Sequence, residues 1–138
     1  MARDAARYLL DTNIIIYIRR ERPNALLERF HRLKPREAVL STITFGELAY
    51  GAEKSRTPES TWRQLTELTS LIPVLPLPDE AGRAYGVIRA DLERRGAIIG
   101  NNDLWIAAHA KSAGLTLVTN NEREFRRVKG LKVENWAA

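Results

Sequence analysis

Cysteine is absent from this sequence of 138 residues, which excludes disulfide bonds, zinc–thiolate sites and thiol nucleophiles together. No apolar run approaches the roughly 20 residues that a membrane-spanning helix needs, and the first residues lack the pattern of a secretory leader. Walker and dinucleotide-binding glycine loops are also missing, as is a convincing Ser-His-Asp set. We therefore expect a soluble protein of a reducing compartment, the cytoplasm, with no membrane partner.

Positive charge is in excess, with a formal net charge of +5 and a pI near 9.9. This balance is consistent with RNA, DNA or an acidic protein surface as the partner, although many basic proteins bind no nucleic acid. The basic residues at 19, 20, 22, 29 and 32 are typical of a solvated helix face and could also hold a phosphate backbone. Because no repeat or linker divides the chain, we expect one domain over residues 1–138.

Short apolar runs alternate with segments of helical periodicity along the whole chain. Helix signals include Asn24 as a cap, Ser41 or Thr42 as a cap, Pro58 in a first turn and Asn102 as a cap. The predicted strands are 6–10, 38–40, 74–77 (an edge strand), 115–118 and 131–133. The predicted helices are 13–20 (stopped near Pro23), 24–33, 42–54, 58–71, 78–80 to 94–96, 102–113 and 122–128.

This alternation predicts an α/β fold in which a mostly parallel sheet carries helices on both faces. Functional sites of such sheets lie at the carboxyl ends of the strands. Asp11 follows the first predicted strand directly, and residues 119–121 follow the strand at 115–118. Both segments are therefore candidates for the site.

Three acids stand alone in stretches that are otherwise almost free of charge. Residues 8–18 contain only Asp11, residues 38–52 only Glu47, and residues 96–110 only Asp103, with histidine counted as neutral. At the 28% charged composition of the chain, these stretches would carry about 11 charged residues. A carboxylate is costly to desolvate without a partner, and no lysine or arginine is near in sequence. We expect the three acids to meet at one site and to bind a cation.

Each acid also has an alternative, structural interpretation. Asp11 could cap the helix that follows it, and one residue can both cap and bind a metal. Glu47 could be an ordinary exposed acid of an amphipathic helix, and Asp103 lies in a first turn, where the helix dipole favours negative charge. All-oxygen ligands would suit Mg²⁺ or Mn²⁺ rather than zinc. His109 is interpreted as a packed or partly exposed side chain rather than a catalyst.

The motifs resemble those of a known family. LDTN at 10–13, TITFGELAYG at 42–51 and IGNNDLWIAAHA at 99–110 look like the three acidic motifs of PIN-domain ribonucleases. LVTNNEREFRRV at 117–128, followed by GLKVENW at 130–136, looks like the end of VapC toxins of bacterial type II toxin–antitoxin systems. The resemblance covers nearly the whole chain.

The resemblance implies a PIN fold and a Mg²⁺- or Mn²⁺-dependent endoribonuclease that cleaves cellular RNA, often tRNA or rRNA. It implies a homodimer and a cognate VapB-type antitoxin that covers the acidic cleft. It also implies a larger toxin–antitoxin assembly that binds operator DNA through the antitoxin.

By the same resemblance, Asp11 and Asp103 match the metal-binding aspartates and Glu47 matches the motif glutamate, a ligand directly or through water. Thr119 matches a polar residue that often lines the site, and the motif residues Thr12 and Asn13 are further candidates. Many relatives have a fourth acid after the strand at 115–118. Here Asn121 occupies that position and Glu124 follows one turn later, so the fourth acid and a second metal are open questions.

The predicted chemistry is attack of an activated water on a phosphodiester, which leaves 5′-phosphate and 3′-hydroxyl ends. Two alternatives stay open at this point. The chain could be a non-catalytic α/β protein-interaction module in which the acids are helix caps, or a PIN-fold nuclease acting on another nucleic acid.

Overall fold

The computed structural model describes residues 6–21 and 24–137 of the chain. The predicted helix stop at Pro23 lies outside these residues. Within the described part the elements are β1 (Tyr8–Leu10), α1 (Thr12–Glu21), α2 (Asn24–His31), β2 (Ala38–Ser41), α3 (Thr42–Lys54), α4 (Pro58–Leu71), β3 (Val74–Leu75), α5 (Glu80–Arg94), α6 (Asn101–Ala113), β4 (Thr116–Val118), α7 (Glu122–Phe125) and β5 (Val133–Glu134).

The strands form a sheet of order β3-β2-β1-β4-β5, and every pair in it is parallel. The central strand β1 aligns Leu9 with Val39 of β2 on one side and with Leu117 of β4 on the other. All three are buried, as expected for parallel strands that are covered on both faces. The predicted α/β fold with a parallel sheet is confirmed, and β3 lies at an edge as expected.

Alternate residues of the strands enter two separate cores, because successive side chains of a strand point to opposite faces. Leu9 packs with Ile88 of α5 and Ile106 of α6. Its neighbour Leu10 packs on the other face with Ile14 of α1 and Leu65 of α4. Helices therefore cover both faces, and the carboxyl edge of the sheet remains for the loops that follow β1 and β4.

The order of the strands reverses direction between β1 and β4, since β2 and β3 lie on one side of β1 while β4 and β5 lie on the other. Such a reversal separates the loops that follow the two strands and opens a crevice between them. The residues that follow are Asp11 after β1 and Thr119 after β4. The topology thus places these two side chains at the crevice.

Several predicted boundaries are wrong. Helix α6 begins at Asn101 with Gly100 at its N-cap, so Asn102 lies inside the helix and does not cap it. Helix α7 ends at Phe125, because the amides of Arg127 and Val128 bond three residues back in tighter turns. The last strand is displaced to Val133–Glu134, the residues that pair with β4. Helix α2 ends at His31 rather than at residue 33.

Among the helices of the described residues, none combines the length and the hydropathy that a membrane span requires.

Candidate active site

Asp11 is almost fully buried, at 2% exposure, directly after the central strand. Its Oδ1 accepts a hydrogen bond from the amide of Ile14 at 2.9 Å, so the predicted capping role in α1 is confirmed. Its Oδ2 accepts a hydrogen bond from the hydroxyl of Thr119 at 2.5 Å. None of the ion pairs formed within the described residues includes Asp11. The carboxylate is therefore fixed in orientation while its charge lacks a cationic partner.

Glu47 connects the first turns of two other helices. Its Oε1 accepts a hydrogen bond from the hydroxyl of Thr12 in α1, and its Oε2 accepts one from the side-chain amide of Asn102 in α6 at 3.2 Å. The neighbours of Thr12 and Asn102 in the chain are Asp11 and Asp103. Because each oxygen of Glu47 bonds to a residue adjacent to an aspartate, α3 brings Glu47 between the two.

Asp103 lies half-buried in the first turn of α6. Burial, together with the negative charges of Glu124 and Glu47, raises the pKa of its carboxyl group to about 6. Burial likewise raises the pKa of Asp11 to about 6, against the hydrogen bonds from Thr119 and Ile14 and with help from the charges of Asp103 and Glu47. The mutual effects show that the structure brings these acids close enough to repel one another.

The segment after β4 brings a further acid, Glu124, close enough to Asp103 for its charge to act there. The side-chain amide of Asn121 donates a hydrogen bond to Oε1 of Glu124 at 2.8 Å, and its backbone amide donates to the hydroxyl of Thr119 at 2.8 Å. Asn121 therefore orients the acid rather than replacing it. Asn13 is exposed on α1, and in the described part of the chain its side chain bonds to none of these acids.

The cluster suits a hard divalent cation. It offers carboxylate and hydroxyl oxygens, no thiolate and, among the described residues, no histidine in contact with the acids. In the ranges 6–21 and 24–137, no three acidic or histidine side chains converge tightly enough to hold one ion by themselves. Mg²⁺ needs no such cage, because it keeps several waters and binds proteins through one or two carboxylates. The acids that fit this role are Asp11 and Asp103, whose raised pKa values reflect charge that a cation would neutralise.

Two supporting contacts were not predicted from the sequence. Asn102 was interpreted as a helix cap, and its contact with Glu47 spans 55 residues of chain. His109 is buried, as expected for a packed side chain, and its Nδ1 lies 2.9 Å from Oγ of Ser41, the residue that caps α3. Burial lowers the pKa of His109, so the ring is neutral at pH 7. No local pattern marks either contact, because both partners are distant in sequence.

Comparison with known proteins agrees with this site. The family model for the PIN domain matches residues 8–131. The chain is 45% identical over 130 residues to ribonuclease VapC2 of Haemophilus influenzae. The alignment covers 94% of this chain and 98% of that relative. It is 44% identical over 131 residues to the tRNA(fMet)-specific endonuclease VapC of Shigella flexneri. That alignment covers 95% of this chain and 98% of the relative.

Solved structures lead to the same family. The structure of DNA-bound VapBC from Salmonella typhimurium superposes with a TM-score of 0.91 at 41% identity, covering 96% of this chain and 100% of that one. Asp11, Glu47, Asp103 and Glu124 all lie within the residues 8–131 that the family model matches. This chain therefore belongs to the PIN-domain family and, within it, to the VapC ribonucleases.

Proposed function

We propose that this chain is the toxin of a VapBC-type pair and cleaves tRNA as a Mg²⁺- or Mn²⁺-dependent endoribonuclease in the cytoplasm. The observation that carries the proposal is that Asp11, Glu47, Asp103 and Glu124 lie near one another at the carboxyl edge of the sheet, and that no ion pair formed within the described residues includes any of them. Membership of the VapC family favours this function over a non-catalytic interaction module.

In this mechanism Asp11 and Asp103 would hold the divalent cation. When bound, the cation stabilises the negative charge that develops on the phosphate and acidifies water. Thr119 and the amide of Ile14 fix the two oxygens of Asp11, so that its direction does not change during the reaction. Asn121 does the same for Glu124, which lies beside Asp103.

We assign Glu47 the role of the base. Thr12 and Asn102 each donate to one of its oxygens and hold the carboxylate between the two aspartates. A water there would form a new bond to phosphorus and give its proton to Glu47 as the bond from phosphorus to the 3′ oxygen breaks. The 3′ oxygen takes a proton from solvent. The products are then a 5′-phosphate and a 3′-hydroxyl.

The relative of Shigella flexneri is named for tRNA(fMet), so initiator tRNA is the first substrate that we propose. The related structures include VapBC complexes, and those from Salmonella typhimurium and Rickettsia felis are bound to DNA. We accordingly propose a VapB-type antitoxin as the partner, a toxin homodimer, and binding of operator DNA through the antitoxin.

The test uses protein freed of antitoxin, incubated with total tRNA and rRNA in Mg²⁺, in Mn²⁺ and in chelator. The matched control is Asp103→Asn, checked for equal thermal stability. Discrete fragments that need the metal, carry 5′-phosphate ends and disappear in the variant are expected. Ends bearing 2′,3′-cyclic phosphate would refute water attack, and a failure to cleave any RNA would favour the interaction module.

A further inference from the structure

A cleft of about 410 Å³ leads away from the acidic site along α1 and α3 towards α4. One end of it is formed by Thr12 and Glu47, and the other by Arg19, Arg20 and Gln64. We propose that this cleft, here called the arginine cleft, binds the RNA backbone beside the scissile bond, with Arg19 and Arg20 holding a neighbouring phosphate. The inference rests on the proposed ribonuclease function and adds where the substrate lies.

Helix α1 sets the distance between the two ends. Thr12, Ile16 and Arg19 are spaced four and three residues apart, so they share one face of the helix. Seven residues at 1.5 Å each separate the backbones of Thr12 and Arg19 by roughly 10 Å along the axis. A phosphate bound by the arginines would therefore lie close to the phosphate at the acids but would be a different phosphate of the same RNA chain.

The arginines carry charge that no acid of the described residues neutralises. Arg19 donates a hydrogen bond to the amide oxygen of Gln64 at 2.8 Å, which orients the guanidinium group without cancelling its charge. Both arginines are exposed, and neither takes part in an ion pair within the described residues. Guanidinium groups match phosphate oxygens in geometry as well as in charge.

The floor of the arginine cleft is kept open by a glycine. Gly51 lies within α3, where glycine costs up to about 1 kcal/mol relative to alanine. A Cβ built at Gly51 would meet no atom within 4 Å, so packing inside the protein does not require glycine there. A larger side chain would instead project into the cleft. The hydroxyls of Ser55 and Thr61, 2.9 Å apart, form a polar wall beside it.

A polyanionic chain is the ligand that satisfies both ends of the arginine cleft. The acid end attracts a phosphate only through a cation, whereas the arginine end attracts one directly. An acidic peptide could bind the arginines but would leave the acid end unoccupied. A phosphodiester chain has anionic groups at regular intervals and can engage both ends at once.

The first experiment measures RNA binding, with the Asp103→Asn variant as the background that prevents cleavage. Replacing Arg19 and Arg20 together by glutamine is expected to weaken tRNA binding about tenfold or more and to reduce the salt slope of log K by about one to two. The control replaces Arg83 and Arg94 of α5 by glutamine, which removes the same charge elsewhere. Equal effects of the two double variants would overturn the proposal.

The same replacements are then made in the active protein. We expect KM to rise with little change in kcat, because the arginines bind the substrate away from the bond that is cut. If the wild type cleaves RNA and the arginine variant cleaves it with the same KM and kcat, the arginine cleft is refuted but the ribonuclease is not. RNA binding that depends on the arginines, in a protein that cleaves nothing, would refute the ribonuclease but not the cleft.

A steric variant tests the cleft independently of charge. Gly51→Phe is expected to fold normally, since its Cβ meets no protein atom, and to lose tenfold or more of its RNA affinity by filling the cleft, about 1.4 kcal/mol. Gly82→Phe is the control, because Gly82 is exposed on α5 and a Cβ there also meets nothing within 4 Å. Gly51→Phe protein with unchanged RNA affinity would contradict the proposal.

Discussion

Replacing Asp11 with asparagine separates the two roles that its carboxylate combines. Asparagine caps helices about as well as aspartate, and its Oδ1 can still accept the hydrogen bond from the amide of Ile14. Thr119 can rotate its hydroxyl to accept from the new amide group instead of donating to Oδ2. The variant therefore keeps the cap, reverses the hydrogen bond with Thr119, whose oxygen also accepts from the amide of Asn121, and removes the negative charge.

The structure predicts that this variant is more stable than the wild type when no metal is bound. The pKa of Asp11 rises from 3.8 to about 6, chiefly through burial. At 1.36 kcal/mol per pKa unit, this rise corresponds to about 3 kcal/mol of folding free energy that the ionised group costs. Since an asparagine amide also loses some hydration on burial, we expect a gain of about 1 to 3 kcal/mol at neutral pH.

The pH dependence follows from the direction of the change. Because the pKa is higher in the folded state, Asp11 imposes no cost below about pH 4, a growing cost between about pH 4 and 6, and its full cost above that range. Urea unfolding in chelator should therefore show a stability difference between Asp11→Asn and wild type near pH 7.5 that vanishes near pH 4. Comparing the two proteins at each pH removes the effects of the other titrating groups.

Adding Mg²⁺ should narrow or reverse this difference, because ligand binding to the folded state stabilises the protein that binds it better. A variant that is less stable than the wild type at both pH values would refute the reasoning. Asp11 would then be a helix cap whose charge the protein tolerates without cost, and the pair of aspartates would not need a cation.

Three further variants test the supporting contacts. His109→Ala should destabilise the protein by about 2 to 4 kcal/mol in thermal or urea unfolding, because it leaves a cavity and deprives Ser41 of a buried partner, whereas His109→Asn should recover part of the loss. Thr44→Val should stabilise it by about 1 kcal/mol in the same assay, since the hydroxyl of Thr44 is buried without a hydrogen-bond partner among the described residues. Asn121→Ala should weaken Mn²⁺ binding about 10- to 100-fold by calorimetry, because it releases Glu124, and unchanged binding would exclude Glu124 from the metal site.

Much of the fold could be predicted because local signals and tertiary structure agree. Helix α4 begins and ends at the predicted residues, since Pro58 suits a first helical turn and the apolar spacing continues to Leu71. The buried strands β1, β2 and β4 are short apolar runs between charged helices, which is the expected pattern of a parallel sheet. The sequence was sufficient wherever the nearest neighbours decide the structure.

The errors occur where distant partners decide it. Asn102 is a residue type that often caps helices, yet its side chain donates a hydrogen bond to Glu47, and the helix already begins at Asn101. The apolar residues Leu131 and Val133 predict a last strand at 131–133, whereas pairing with β4 selects Val133 and Glu134. The sequence does not distinguish a cap from a ligand at Asp11, because it does not reveal that Oδ1 faces the amide of Ile14 while Oδ2 faces the hydroxyl of Thr119 after β4.

The electrostatic free energy of the acidic cluster affects the stability of the fold, the affinity for a metal ion and the binding of the substrate. Repulsion among the carboxylates and their burial destabilise the ion-free fold, and the raised pKa values of Asp11 and Asp103 measure that cost. A divalent cation removes the repulsion, so part of the energy that destabilises the free protein becomes affinity for the ion. The same neutralisation is what allows a phosphate to approach the acids, while Arg19 and Arg20 attract the backbone regardless of the ion. Cation removal should therefore abolish cleavage and leave much of the salt-dependent RNA binding intact.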